Sequence, residues 1–106
     1  MDARPEDIVR EFREGLEAIY GPSLKGVYLF GSHARGDADP ESDLDVVVVL
    51  DRVEHYYSEI ERTGPLASRL SLKHGLSLSR VFVPLADWEL HDTPFLVNAC
   101  EEAIPA

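Results

Sequence analysis

Two carboxylates, Asp43 and Asp45, stand one residue apart at the head of a run of valines. Side chains alternate faces along a strand, so both point the same way, about 6.5 Å apart along the backbone. Hard anionic oxygens at that spacing suit Mg²⁺, which accepts one or two carboxylates together with waters and substrate phosphates. A second ion would let the pair stabilise the attacking and leaving oxygens of an in-line displacement. Upstream, Gly31-Ser32-His33-Ala34-Arg35-Gly36 has the makings of a phosphate turn. Gly31 has no Cβ, so backbone there can approach a phosphate closely. Ser32 offers a hydroxyl and, where it opens a helical turn, backbone N–H groups for an anion. Arg35 has the fork geometry that matches phosphate.

The neighbouring elements must bring these pieces together. Val27-Tyr28-Leu29-Phe30 reads as the end of a strand over Leu24 to Phe30, leading into the turn. Leu44 to Leu50 reads as a second strand, so rich in β-branched residues that both of its faces should be covered. Taken singly, a Gly-Ser turn or a pair of solvated acids is an ordinary structural feature. With strands on both sides, the two pieces together favour function.

The remaining elements follow from periodicity. Pro5 to Tyr20 reads as a helix, with Ile8, Phe12, Leu16 and Ile19 on one face and Val9 and Tyr20 widening it. Pro5 suits a first helical position, and Gly21-Pro22 stops the helix. Glu54 to His74 reads as helical but broken near Gly64-Pro65, where the proline kinks the helix or begins a second one, with Gly75 as its stop. Leu76 to Leu85 reads as a third strand and Ala86 to Glu89 as a short helical turn. Thr93 caps a last helix expected to run through Ile104. The expected fold class is α/β (α+β): a small mixed sheet flanked by helices, in one domain over residues 1–106.

Gly31-Ser32, Ala34-Arg35-Gly36 and Ser42-Asp43-Leu44-Asp45 resemble the signature of the DNA polymerase beta nucleotidyltransferase superfamily. Within it, the chain is similar to the minimal nucleotidyltransferase (MNT) domains, from the leading helix to Asn98. The resemblance implies a polymerase-beta-like fold, Mg²⁺ dependence, and transfer of a nucleoside monophosphate from a triphosphate, ATP by family expectation. It implies Asp43 and Asp45 as catalytic metal ligands, and Gly31, Ser32, Arg35 and Ser42 as the nucleotide and phosphate contacts. It also implies a partner, a HEPN-like toxin for which such a protein serves as antitoxin, in some cases by adenylating it.

Composition narrows the classes. The chain has 106 residues, 44% of them hydrophobic, which suffices for one packed domain. Cys100 is the single cysteine, so no internal disulfide framework exists and a cytoplasmic setting is expected. No apolar leader or ~20-residue membrane run is expected. Twenty Asp and Glu stand against ten Lys and Arg, a formal net charge of −10. Nucleic-acid binding rests on cationic side chains, so it is not expected here. A metal–nucleotide complex, a basic partner protein or a homo-oligomer remains open.

One departure from the family pattern bears on mechanism. The superfamily's third carboxylate stands on a later strand, yet Arg62 to Ala86 contains no Asp or Glu. Ser77 and Ser79 occupy that strand instead. A two-metal site is therefore incomplete on this sequence. Without a base, about 10²–10⁴ in rate is forgone. The alternative function is then a catalytically weak or inactive nucleotide- and metal-binding module that neutralises or scaffolds its partner. His74, near the entry of the third strand, is a weak substitute base. Asp37, Asp39 and Glu41 form an acidic loop beside the metal pair, expected to be solvated. His33 lies within the turn, where a phosphate contact is open to it. Cys100 is expected to be buried filler.

Overall fold

A computed structural model describes residues 4–36 and 43–106. Helix α1 (Pro5–Tyr20) begins at its proline, and a 3-10 turn over Gly21–Ser23 leads into β1 (Leu24–Phe30). A single helical turn, α2 (Ser32–Arg35), follows, and then β2 (Leu44–Leu50) and the long helix α3 (Tyr56–His74). Strand β3 (Leu78–Pro84), helices α4 (Leu85–Leu90) and α5 (Pro94–Glu102), and a two-residue strand β4 (Ile104–Pro105) complete the order. The strands form one mixed sheet in the order β3-β2-β1-β4. β2 runs parallel to β3 and antiparallel to β1, and β4 runs antiparallel to β1. This is the mixed sheet with flanking helices expected from the sequence.

The valines of β2 explain the layering. Leu44, Val46, Val48 and Leu50 face a core built with Ile8, Val9, Phe12 and Leu16 of α1 and Leu66, Ala67 and Leu70 of α3. Val47 and Val49 face a second, smaller core with Leu96 and Ala99 of α5, walled by Trp88 of α4. A central strand covered on both faces has no polar side to offer, which is why its run is almost wholly apolar. Burying side chains of this size contributes about 1.5–3 kcal/mol each relative to exposure. Helix α1 has the expected face, except that Ile19 lies at its margin and stays 37% exposed. Helices α1 and α3 pack so closely that a methyl group on Gly15 would lie 2.5 Å from Leu66 Cδ1.

Three expectations are corrected. Helix α3 is not broken: it runs from Tyr56 to His74 with Pro65 inside it. Proline removes the bond that would reach the Glu61 carbonyl, but Glu61 and Pro65 are both exposed, so water can meet that carbonyl. The preceding turn is also braced from the sheet. Arg80 of β3 donates to Thr63 Oγ1 (2.6 Å) and to the Ile60 carbonyl (2.7 Å). Thr63, fully buried, donates in turn to the Glu59 carbonyl at 2.8 Å.

The last helix also differs. It ends at Glu102, not Ile104, and Ile104–Pro105 pairs with Leu29 and Tyr28 as β4. Ile104 matches the helical apolar spacing, but a residue before proline is pushed out of the helical region. Ala103 already has extended backbone, at φ −62° and ψ 134°. The Ala106 N–H then donates to the Val27 carbonyl, and Arg13 donates to the Ala106 carbonyl. Strand β3 is trimmed to Leu78–Pro84, because Leu85 already opens α4.

Candidate functional site

The site is assembled at one end of the β1–β2 pair. The register sets Phe30 against Asp45, so the turn that leaves β1 faces the start of β2. Gly31 has φ +79° and ψ −155°, a region essentially closed to side chains with a Cβ. There is also no room for one: a methyl group would lie 2.5 Å from Asp45 Oδ2. The glycine therefore serves both the backbone path and the contact with the carboxylate. Beyond it, the Arg35 N–H donates to the Gly31 carbonyl at 3.0 Å, and Gly36 closes the turn in the left-handed region at φ +81°. Ser32 is the first residue of α2 and is half-buried. The Leu44 N–H donates to the Ser77 carbonyl at 2.9 Å, which fixes where β2 begins.

Asp43 lies just ahead of β2 and is exposed, whereas Asp45 lies within it and is half-buried. Burial pushes the Asp45 carboxyl above the usual carboxylate range, and the negative charge of Asp43 pushes it further; His33 and Arg35 partly offset both. Two like charges under partial desolvation are a standing cost, and a divalent cation between them would relieve it. The donor chemistry is hard oxygen, which fits Mg²⁺ better than a softer metal. The fit extends to a two-carboxylate site and no further. Among the described residues, no group of three or more His, Cys, Asp and Glu gathers as a metal cluster. On β3, the residue in register with Asp45 is Ser79, and it is exposed.

The structure thus brings together Gly31, Ser32, Arg35, Asp43 and Asp45. Ser42, together with the acidic loop residues Asp37, Asp39 and Glu41, lies outside the described residues. His74 does not serve the site. Its Nε2 lies 3.0 Å from Glu11 Oε2, tying α3 to α1 on the opposite face of the sheet from α5. Cys100 is only half-buried; its thiol contacts the Trp88 carbonyl at 3.8 Å, and burial pushes its pKa up.

One residue at the site escaped sequence reasoning. The Gly31 N–H donates to Glu102 Oε2 at 3.2 Å, and Arg35 Nη1 lies 3.1 Å from Glu102 Oε1. Glu102 is the last residue of α5 and stands 71 residues from Gly31 in the chain. Its place depends on α5 docking through Leu96 and Ala99, and on Phe95 meeting the ring of Phe30 edge-on at 5.7 Å. No local pattern announces such a contact. A polar cleft of about 250 Å³ lies at the other end of β2, lined by Tyr20, Asp51, Glu59 and Arg62 among others, and takes no part in this site.

Comparison with known proteins gives a consistent result. A family model described as a nucleotidyltransferase domain matches residues 9–83. The candidate protein adenylyltransferase MJ0141 of Methanocaldococcus jannaschii is 37% identical over 75 residues, covering 71% of this chain and 75% of that protein. A second such protein of that organism, MJ0604, is 32% identical over 92 residues, covering 81% and 86%. Among solved structures, a candidate nucleotidyltransferase from Sulfolobus solfataricus aligns over 96% of this chain and 78% of its own, with a TM-score of 0.65 at 19% identity. A chain of a toxin–antitoxin complex solved with AMP-PNP aligns over 97% and 72%, with a TM-score of 0.58 at 20% identity. At such identities the solved structures speak for the fold.

Proposed function

Because the chain belongs to the nucleotidyltransferase domain family, we propose that it transfers AMP from ATP to a hydroxyl of a partner protein and so acts as the antitoxin of a HEPN-type toxin. The observation that carries the chemistry is the meeting of Asp45 with the Gly31 turn across the β1–β2 register, with the charge of Asp43 beside it. The names of the two M. jannaschii relatives support a protein acceptor, and a fold neighbour from a toxin–antitoxin complex supports the pairing.

In the transfer, the acceptor oxygen bonds to the α-phosphorus, the bond from that phosphorus to the bridging oxygen breaks, and pyrophosphate leaves. Asp43 and Asp45 would hold Mg²⁺, which when bound neutralises phosphate charge. Gly31 and Ser32 bring backbone and hydroxyl donors to the phosphates, and Arg35 supplies a guanidinium. Glu102 reaches the Gly31 turn, but no third Asp, Glu, His or Cys joins this pair as a metal group among the described residues, so the hydroxyl proton would pass to solvent or to a group of the acceptor protein. Incubation with labelled ATP, Mg²⁺ and the product of the neighbouring gene should label that product. Label that persists when Asp43 and Asp45 are both changed to Asn would overturn the proposal.

A second reading draws on the same gap. With Ser79 where a third acid would stand, the chain could neutralise its partner by binding alone. That reading expects Asp43→Asn to leave both partner binding and neutralisation intact. Retained binding with lost neutralisation decides against it.

A further inference from the structure

We propose that Glu102 is an internal competitor for the nucleotide, a carboxylate seated on the groups that receive phosphate and displaced when the triphosphate binds. The inference rests on the reading above, in which Gly31 and Arg35 are phosphate contacts. One carboxylate spans both: Oε2 accepts from the Gly31 N–H at 3.2 Å, and Oε1 pairs with Arg35 Nη1 at 3.1 Å. A backbone N–H and a guanidinium offered side by side are what a phosphate takes, and a glutamate offers the same two-oxygen, negatively charged face. The single Gly31 N–H serves one anion at a time, and a triphosphate drawn to Arg35 would meet the charge of Glu102 beside it.

The contact is suited to exchange. The Glu102 side chain is 27% exposed and that of Arg35 is 45% exposed, so water screens the pair and its strength is modest. The backbone on either side is held. Leu96 and Ala99 anchor α5 in the second core, and Ile104 and Pro105 pair with β1. Release is therefore a swing of one side chain, with α5 and β4 left in place. The consequence is an affinity for nucleotide below what the turn would give unopposed, set by a residue outside the Gly-Ser and Asp-x-Asp segments.

The test is calorimetric titration of the full chain with ATP and Mg²⁺, and separately with adenosine. Wild type is compared with Glu102→Gln, Glu102→Ala and the Asp43→Asn/Asp45→Asn double variant, each checked for a cooperative thermal transition. Glu102→Gln keeps an oxygen able to accept from Gly31 but removes the charge. The expected result is ATP binding roughly three- to tenfold tighter in both Glu102 variants, with adenosine unchanged. Equal or weaker ATP binding in folded Glu102 variants overturns the inference while leaving the nucleotide site standing. Equal tightening for adenosine overturns it too, since the effect would not then concern phosphate. If neither wild type nor the Glu102 variants bind ATP, the nucleotide reading itself fails, and this inference with it.

Discussion

At the scale of single residues, the candidate site carries a local cost in stability at Asp45 and depends on a glycine at position 31. A charge on Asp45 carries a cost, since burial, and then the charge of Asp43, raise its pKa. A carboxyl whose folded pKa is raised favours the folded state when protonated, and that advantage fades as pH rises through the folded value. Asp45→Asn should therefore raise the unfolding temperature slightly at pH 7 in the absence of divalent cations. It should also lower nucleotidyl transfer by about 10²-fold or more, as losses of metal-site groups do. Thermal melts with EDTA, set beside a transfer assay, check both halves; an unchanged transfer rate would remove Asp45 from the site. Gly31→Ala should act the opposite way on stability. Its backbone conformation alone costs a side chain about 1–3 kcal/mol, and the crowding against Asp45 adds to this. Chemical denaturation measures that loss, and ATP titration should show binding weakened with it.

Among the elements, α1 and α3 are joined by a charged clamp on the face away from the site. Glu11 accepts from Lys73 and lies against His74, and the Lys73 contact is the main cause that lowers the Glu11 pKa, followed by His74. A carboxylate with a lowered folded pKa adds stability above its ordinary value of 4.5, and loses it as pH falls through the folded pKa. Glu11→Gln should therefore lower the unfolding temperature at pH 7, while wild type and variant converge as pH falls from 4.5 through that lowered value. Melting curves across that range test it; a constant gap would assign the loss to packing.

This scale also shows what the sequence could reveal. The ends of α1, β1 and β2 were legible because Pro5, Gly21 and the valine run act locally. The unbroken α3 was not, since what braces the turn before Pro65 is Arg80 on a strand reached only through the fold. The extension of α5 failed because Pro105 acts on the residue before it, against a periodicity that Ile104 satisfies. Glu102 is hidden for a related reason: the family pattern points to a further acid within Arg62 to Ala86, where none stands, whereas this carboxylate arrives from the end of α5.

For the whole molecule, the enzyme expectation agrees with membership of a transferase family, and the two-faced sheet is the one that expectation required. No helix of the described residues is long and apolar enough to cross a membrane. A formal net charge of −10 sets the long-range field. Such a field repels polyanions, so fluorescence anisotropy with labelled duplex DNA or RNA should show no binding at about 0.15 M salt, where screening extends over about 8 Å. Micromolar binding there would point to a nucleic-acid acceptor in place of a protein.

The two outer strands of the sheet share one feature, a proline: Pro84 at the end of β3 and Pro105 in β4. Proline has no N–H to offer a ladder, and β4 is only two residues long. An incoming strand therefore finds little to template on at the β4 border, and the ladder along β3 stops at Pro84. The valine-rich β2 has the composition of a fibril-forming segment, yet it lies in the interior between two neighbours. The same arrangement that covers a strand fit for cross-β stacking also ends its sheet, on the β1 side, in a strand too short to extend it.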